Sequence, residues 1–438
     1  MQWSQMVNII PFKCFYPISL TDFALPMIFS DVDISPDVKS IDDNEIFKIP
    51  ANILTDDHKR IFQETLTLGH ARKYEFMSRY WSSYEALGFF REDPDDLFYV
   101  YKMEYTLNGV RYHQTGLICL LELKKQTILG HEETIHDKIN DQLKRLKQLR
   151  TSISPVFLLY DDENNNHDSS FTFKTNESND NELINLLEEV TYSFPIIDLI
   201  ATNNVRHTLW KIIDSKISSK IIEYFNMQTK VYIADGHHRV ESSFALRDKL
   251  KKENPNHTGK EPYNYILSAI FPVSQVHILE YNRILKNVKK FRKDVLPKLK
   301  KNFSVDELSD FQKPTHKGQF VIYSKGKWFK VKPKDKIINN KPKSFVNILD
   351  SYIIQEYIFG DIFNIKNVRK SRKIIYIPGS KSIEYLIDTA EREGGIAIVL
   401  PAVGIDDILT IADNGQIVPP KTTWFEPKIL KGLMFWKF

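Results

Sequence analysis

The chain has 438 residues, too many for one small core, and its 42% hydrophobic and 12% aromatic content is that of a globular protein. Lys and Arg number 60 against 56 Asp and Glu, a net charge of +4, which leaves no chain-wide electrostatic footprint for nucleic acid. Two cysteines, Cys14 and Cys119, exclude a disulfide scaffold or a thiolate metal centre. With no signal sequence and no apolar run approaching about 18 residues, the expectation is a cytoplasmic, mixed α/β protein without membrane association.

Five prolines between Pro11 and Pro50 break residues 1–60 into irregular structure, and Tyr80 and Tyr84 then stand at helical spacing. Two alternating runs joined at Asn108-Gly109 predict a β-hairpin. Ile135, Ile139, Leu143, Leu146 and Leu149 recur at steps of four and three, one face of an amphipathic helix. "ISPVFLLYD" reads as a buried strand, and the polar stretch 161–182 as a loop or surface hairpin. "HTLWKIID", "KVYIA" and "YNYILSAIF" continue a strand–helix–strand alternation. The eight Lys and Arg of Lys286–Lys301 predict a solvated helical face interrupted by Pro297. The last third predicts helix, the strand "IAIVL", helix, then a proline-rich loop.

Three polar islands carry the chemistry. In Asp235-Gly236-His237-His238-Arg239, a strand ends at a flexible glycine and a helix begins. The helix N-terminus and the forked Arg239 suit phosphate oxygens, and His237 and His238 donate to an anion or shuttle a proton. The plain alternative makes Asp235 a helix N-cap. A His-ligated zinc is the minor reading, since adjacent histidines on a turn point apart.

His131 and His136 are five residues apart, about 140° around a helix, which rejects a zincin motif. More useful is the carboxylate pair Glu132-Glu133 at the expected start of a helix, one of which suits a general base or a Mg²⁺ ligand. Lys421, Thr422 and Thr423 form a third island that suits a phosphoryl group through a point charge and hydroxyls. No Walker A or G-x-G-x-x-G pattern occurs.

"SPVFLLYDD", "HTLWKIID", "VYIADGHHR" and "VPPKTTWFEPKILKGL" together resemble the family catalogued as domain of unknown function 1015, along nearly the whole chain. The same islands are similar to those of the shorter archaeal free-serine kinases of the ParB/sulfiredoxin-like superfamily. That resemblance implies a ParB/sulfiredoxin-like core at about 98–275 within an N-terminal region 1–275, a C-terminal α/β domain at 276–438, and a cleft between them. It implies transfer of a phosphoryl group between serine and an ADP/ATP-type nucleotide with Mg²⁺, held through Glu132 or Asp235. By the same resemblance, Glu132 is the base for the serine hydroxyl and Asp235 supports catalysis. His131, Gly236, His237, His238, Arg239, Lys421, Thr422 and Thr423 bind phosphate or substrate. The kinase direction and the hydrolytic, phosphoserine phosphatase direction both stay open. So does a nucleotide-binding ParB-like module, regulatory or nucleic-acid-associated, without turnover.

Overall fold

The computed structural model describes residues 6–17, 78, 82, 85, 90–162, 182–201, 203–339 and 344–438. The helical spacing around Tyr80 and Tyr84, and nearly all of the polar stretch 161–182, therefore lie outside the described residues. The fold is mixed α/β, and the chain forms two compact units. Unit 1 holds Met1–Leu129, Thr134–Val276 and Pro427–Phe438; unit 2 holds Gly130–Glu133 and His277–Glu426. Each unit thus contains a short piece of chain flanked in sequence by the other.

Unit 1 is built on a nine-stranded mixed sheet. Its strands are β1 (Ile9–Ile10), β2 (Phe98–Leu107), β3 (Val110–Glu122), β4 (Ile128–Leu129), β5 (Val156–Tyr160), β6 (Ile197–Ile200), β7 (Arg206–Ile212), β8 (Val231–Asp235) and β9 (Tyr265–Pro272). The order is β4-β8-β5-β9-β3-β2-β7-β6, with β1 also paired to β3. β2 and β3 are the expected hairpin, and Asn108 and Gly109 both take positive φ, 52° and 80°, as a two-residue turn of that hand requires. β5 pairs parallel to β9 and antiparallel to β8. It is buried at every position, which explains a continuous apolar run instead of alternation.

The helices of unit 1 are α1 (His136–Leu149), α2 (Glu182–Val190), α3 (Ser215–Met227) and α4 (His237–Glu253). The apolar face expected from Ile135 to Leu149 is buried mainly at its C-terminal end: Leu146 and Leu149 are buried, whereas Ile135 is 40% exposed. The C-terminal segment returns to this unit. Trp436–Lys437 pairs with Thr151–Ser152, and the Leu430 amide donates to the Tyr101 hydroxyl at 3.1 Å. That hydroxyl is also 2.7 Å from His207 Nδ1.

Unit 2 is built on a six-stranded antiparallel sheet of β10 (Tyr281–Leu285), β11 (Phe303–Leu308), β12 (Phe320–Ser324), β13 (Lys327–Pro333), β14 (Ile374–Pro378) and β15 (Ile396–Val399). The order is β11-β13-β12-β15-β10-β14. Along β12, Phe320 and Ile322 join one apolar cluster while Val321 and Tyr323 join another. Both faces are covered, so "IAIVL" is buried throughout. The basic run after Lys286 keeps its lysines outward and buries Phe291, Val295 and Leu299; Pro297 lies at the start of α5 (Leu296–Asn302), where it needs no amide partner. Unit 2 also holds α6 (Ile383–Arg392) and α7 (Ile405–Asp413). Among the described residues no helix is long and apolar enough to cross a membrane.

His207 is 1% exposed, and burial pushes its imidazole down from 6.5 to about 4. The folded state holds it neutral while the unfolded chain protonates near 6.5, so the unfolded state carries more protons between those values. Stability is therefore complete above about pH 6.5 and declines as pH falls toward 4, by about 3 kcal/mol in all from this group. Urea unfolding of wild type and His207→Gln at pH 7 and pH 5 checks this: the variant should show the shallower pH dependence.

Candidate functional site

The Asp-Gly-His-His-Arg turn sits where β8 ends and α4 begins. Asp235 is the last strand residue, and Gly236, not Asp235, occupies the N-cap position. Gly236 has φ 110°, and a Cβ there would meet the Arg239 guanidinium at 2.9 Å. Glycine is required twice, by the backbone and by the arginine laid across it. No side chain caps α4, and Asp235 is not drawn into the capping role that the plain reading gave it.

The Asp235 carboxylate instead faces cations. Its Oδ2 accepts from Arg239 Nη2 at 3.0 Å and its Oδ1 from Lys428 Nζ at 3.3 Å. Burial alone would raise this carboxyl, but Lys428, Arg239 and Lys431 outweigh it and hold the group well below the usual carboxylate range. The side chain stays 45% exposed despite these crowded walls. One carboxylate among three cations leaves a positive surplus at the N-terminal end of a 17-residue helix, which suits an anionic ligand. A carboxylate with so low a pKa is a weak proton acceptor, so Asp235 serves to fix charge.

The remaining residues of the turn are more committed than the sequence suggests. Arg239 Nη1 donates to Ser154 Oγ at 2.9 Å and to the Pro155 carbonyl at 2.6 Å, so its fork is engaged by the protein itself. His237 is buried, and desolvation pushes it down to about 3, so it is neutral at physiological pH. His238 Nε2 accepts the Ile135 amide at 3.0 Å, which requires that nitrogen to be unprotonated.

The second group of expected residues lies within unit 2. Glu132 forms a parallel bridge with Val418, and the Val418 amide donates to the His131 carbonyl at 2.9 Å. His131 is fully buried with Nε2 3.3 Å from Thr423 Oγ1. The Thr422 hydroxyl donates to the Pro419 carbonyl at 2.7 Å and lies 3.0 Å from Ser351 Oγ. Thr422 and Thr423 are buried and shape the loop, while Lys421 is exposed with its ammonium over the Tyr281 ring. Glu133 pairs with Arg369 at 3.2 Å. α1 begins only at His136, so the glutamates precede the helix instead of occupying its first turn. Leu129 pairs with Tyr232, and Ile135 is bonded to His238.

Lys428 and Lys431 are the cations beside Asp235 that the sequence motifs did not single out. Their signal was present in "FEPKILKGL", whose two lysines follow the Lys-Thr-Thr island. Mg²⁺ does not fit Asp235, since both of its oxygens already receive cationic donors. Among the described residues no group of three His, Cys, Asp or Glu side chains is gathered for a metal, so Glu132 has no such set around it either.

The family model described as "Protein of unknown function (DUF1015)" matches residues 48–352. The chain belongs to this family. It is the family that the motifs resemble. No functionally curated protein matches this DUF1015 chain. Among solved structures it is similar to a free serine kinase in complex with AMP, at 14% identity and a TM-score of 0.35, covering 70% of this chain and 86% of that one. It is also similar to SbnI with a C-terminal truncation from Staphylococcus aureus, at 8% identity and 0.36, covering 72% and 85%. A conserved hypothetical protein from Pyrococcus furiosus matches at 13% and 0.34, covering 72% and 93%. At these values the likeness assigns no role to any residue of the DUF1015 chain.

Two substitutions test the turn. Gly236→Ala forces an unfavourable φ and displaces the Arg239 head group, so chemical denaturation should show a loss of about 1–3 kcal/mol. Lys428→Ala removes one cation beside Asp235, and isothermal calorimetry with a phosphomonoester should show affinity about tenfold lower with folding retained.

Proposed function

We propose that this DUF1015 protein transfers a phosphoryl group on a small hydroxyl compound, with serine and O-phosphoserine as the substrate pair and an ADP/ATP-type nucleotide as the partner. The observation that supports it is the positive surplus around the ionised, accessible Asp235, at the start of a helix that no side chain caps. Phosphoryl transfer asks the protein mainly for positioning and for neutralising charge on the transferring oxygens. Permanently charged lysines meet that need without a P-loop.

In this reading Lys428 and Lys431 hold the phosphoryl oxygens, and Asp235 and Arg239 fix the position of Lys428 and the turn. The serine hydroxyl oxygen attacks phosphorus, the bond from phosphorus to the nucleotide's bridging oxygen breaks, and the hydroxyl proton passes to Glu132. Lys421 supplies a further exposed cation for the phosphoserine phosphate. With water in place of the nucleotide, the same residues hydrolyse O-phosphoserine.

The test is incubation of purified protein with O-phosphoserine, with and without ADP or AMP, following serine, phosphate and nucleotide. Phosphate release without nucleotide identifies the phosphatase direction, and phosphorylation of the nucleotide identifies the kinase couple. Nucleotide binding without turnover in either direction overturns the proposal in favour of a regulatory module. Glu132→Gln should lower turnover about 10²–10⁴-fold while leaving O-phosphoserine affinity within about twofold. Unchanged turnover in that variant removes Glu132 from the base role.

A further inference from the structure

Unit 2 buries an arginine that the reaction above does not use. Arg283, on β10, is 2% exposed. Its guanidinium donates to two backbone carbonyls, those of Tyr281 and Lys421, the latter at 2.9 Å from Nη2. Its central carbon lies 5.6 Å from the centre of the Tyr376 ring. A buried guanidinium held by carbonyls and an aromatic face is an expensive arrangement, and burial lowers its pKa to about 10, so it remains charged at neutral pH.

The carbonyl it grips belongs to a residue in an unusual conformation. Lys421 has φ 57°, in the left-handed region that favours glycine. Pro420 precedes it, and a proline followed by a positive-φ residue is the pattern of a type II turn, where glycine normally takes the second position. A lysine there is strained, and it is also the exposed member of the Lys-Thr-Thr loop. Its ammonium lies 5.6 Å from the centre of the Tyr281 ring, a weak contact that an anion displaces readily. The strain and the buried arginine meet at one carbonyl.

We infer that Arg283 is a positioning residue for Lys421: by holding the Lys421 carbonyl it keeps the lysine in a left-handed turn that presents the ammonium group to a phosphoryl oxygen of the ligand. The ligand half of this inference rests on the phosphoryl-transfer reading, whereas the backbone half does not.

Two double-mutant cycles separate the halves. The first reads thermal stability without ligand. Lys421→Gly should raise Tm by about 2 °C over Lys421→Ala, because glycine relieves the left-handed strain. In an Arg283→Lys background, which keeps a charge but loses the fork, that advantage should disappear. An equal advantage in both backgrounds overturns the clamp.

The second cycle reads O-phosphoserine and ADP affinity by calorimetry. Lys421→Ala should weaken O-phosphoserine binding about tenfold, and Arg283→Lys by a similar factor. The combined variant should be no weaker than either alone, since both act through one ammonium group. Multiplicative losses would show that Arg283 has a merely structural role. Arg283→Gln, which removes the charge but keeps a donor, serves the same cycles should Arg283→Lys fail to fold. If wild type binds neither ligand, the phosphoryl-transfer reading and the ligand half fail together, and the thermal cycle alone decides the clamp.

Discussion

The ionised carboxylate of Asp235, held by Arg239 on one oxygen and Lys428 on the other, is the interaction on which the polar turn between β8 and α4 depends. Arg239 reaches that carboxylate by lying across Gly236, so close that a Cβ there would make the arginine head group shift. It then continues to the Ser154 hydroxyl and the Pro155 carbonyl, ahead of β5. Lys428 arrives on the C-terminal segment, which is seated by Leu430 on Tyr101, by Gly432 on Ile153 and by the short pairing at Trp436. One carboxylate thereby ties a strand end, a helix start, a distant loop and the end of the chain.

Much of the fold was legible in the residues because local and global signals agree there. Asn108-Gly109 takes the two positive φ angles that its hairpin needs, and "PVFLLY" and "IAIVL" are continuous apolar runs because their sheets are covered on both faces. The division into units was less legible. Gly130–Glu133 and Pro427–Phe438 each belong with the unit that does not flank them in sequence, and no composition shift marks such an exchange. The start of α1 was misjudged for a related reason: Glu132 and Glu133 have the composition of a helix N-terminus, but pairing with Val418 holds Glu132 extended.

The residue types of the candidate site were also legible, while their charge states were not. A histidine's protonation depends on burial and on which nitrogen finds a donor. His237 becomes neutral through burial, and His238 through the Ile135 amide, a partner 103 residues away. Arg239 looked available because its acceptors at Ser154 and Pro155 are remote in sequence. The positive potential passes instead to Lys428 and Lys431, whose importance emerges only when the chain end is laid beside Asp235. A motif identifies which residues a site needs, and tertiary partners decide which of them carry charge.

Two left-handed backbone positions then show two solutions to one problem. Gly236 reaches positive φ without strain, so its turn is stable by composition. Lys421 reaches it against its own preference, and glycine would be the easier residue unless the side chain matters. A buried arginine beneath it, paired to carbonyls, is a second departure from what stability alone favours. Departures that coincide at one loop are expected where function opposes folding. Lysine at position 421 and arginine at 283 are best understood as one choice: the side chain that the ligand needs, and the clamp that its backbone then requires.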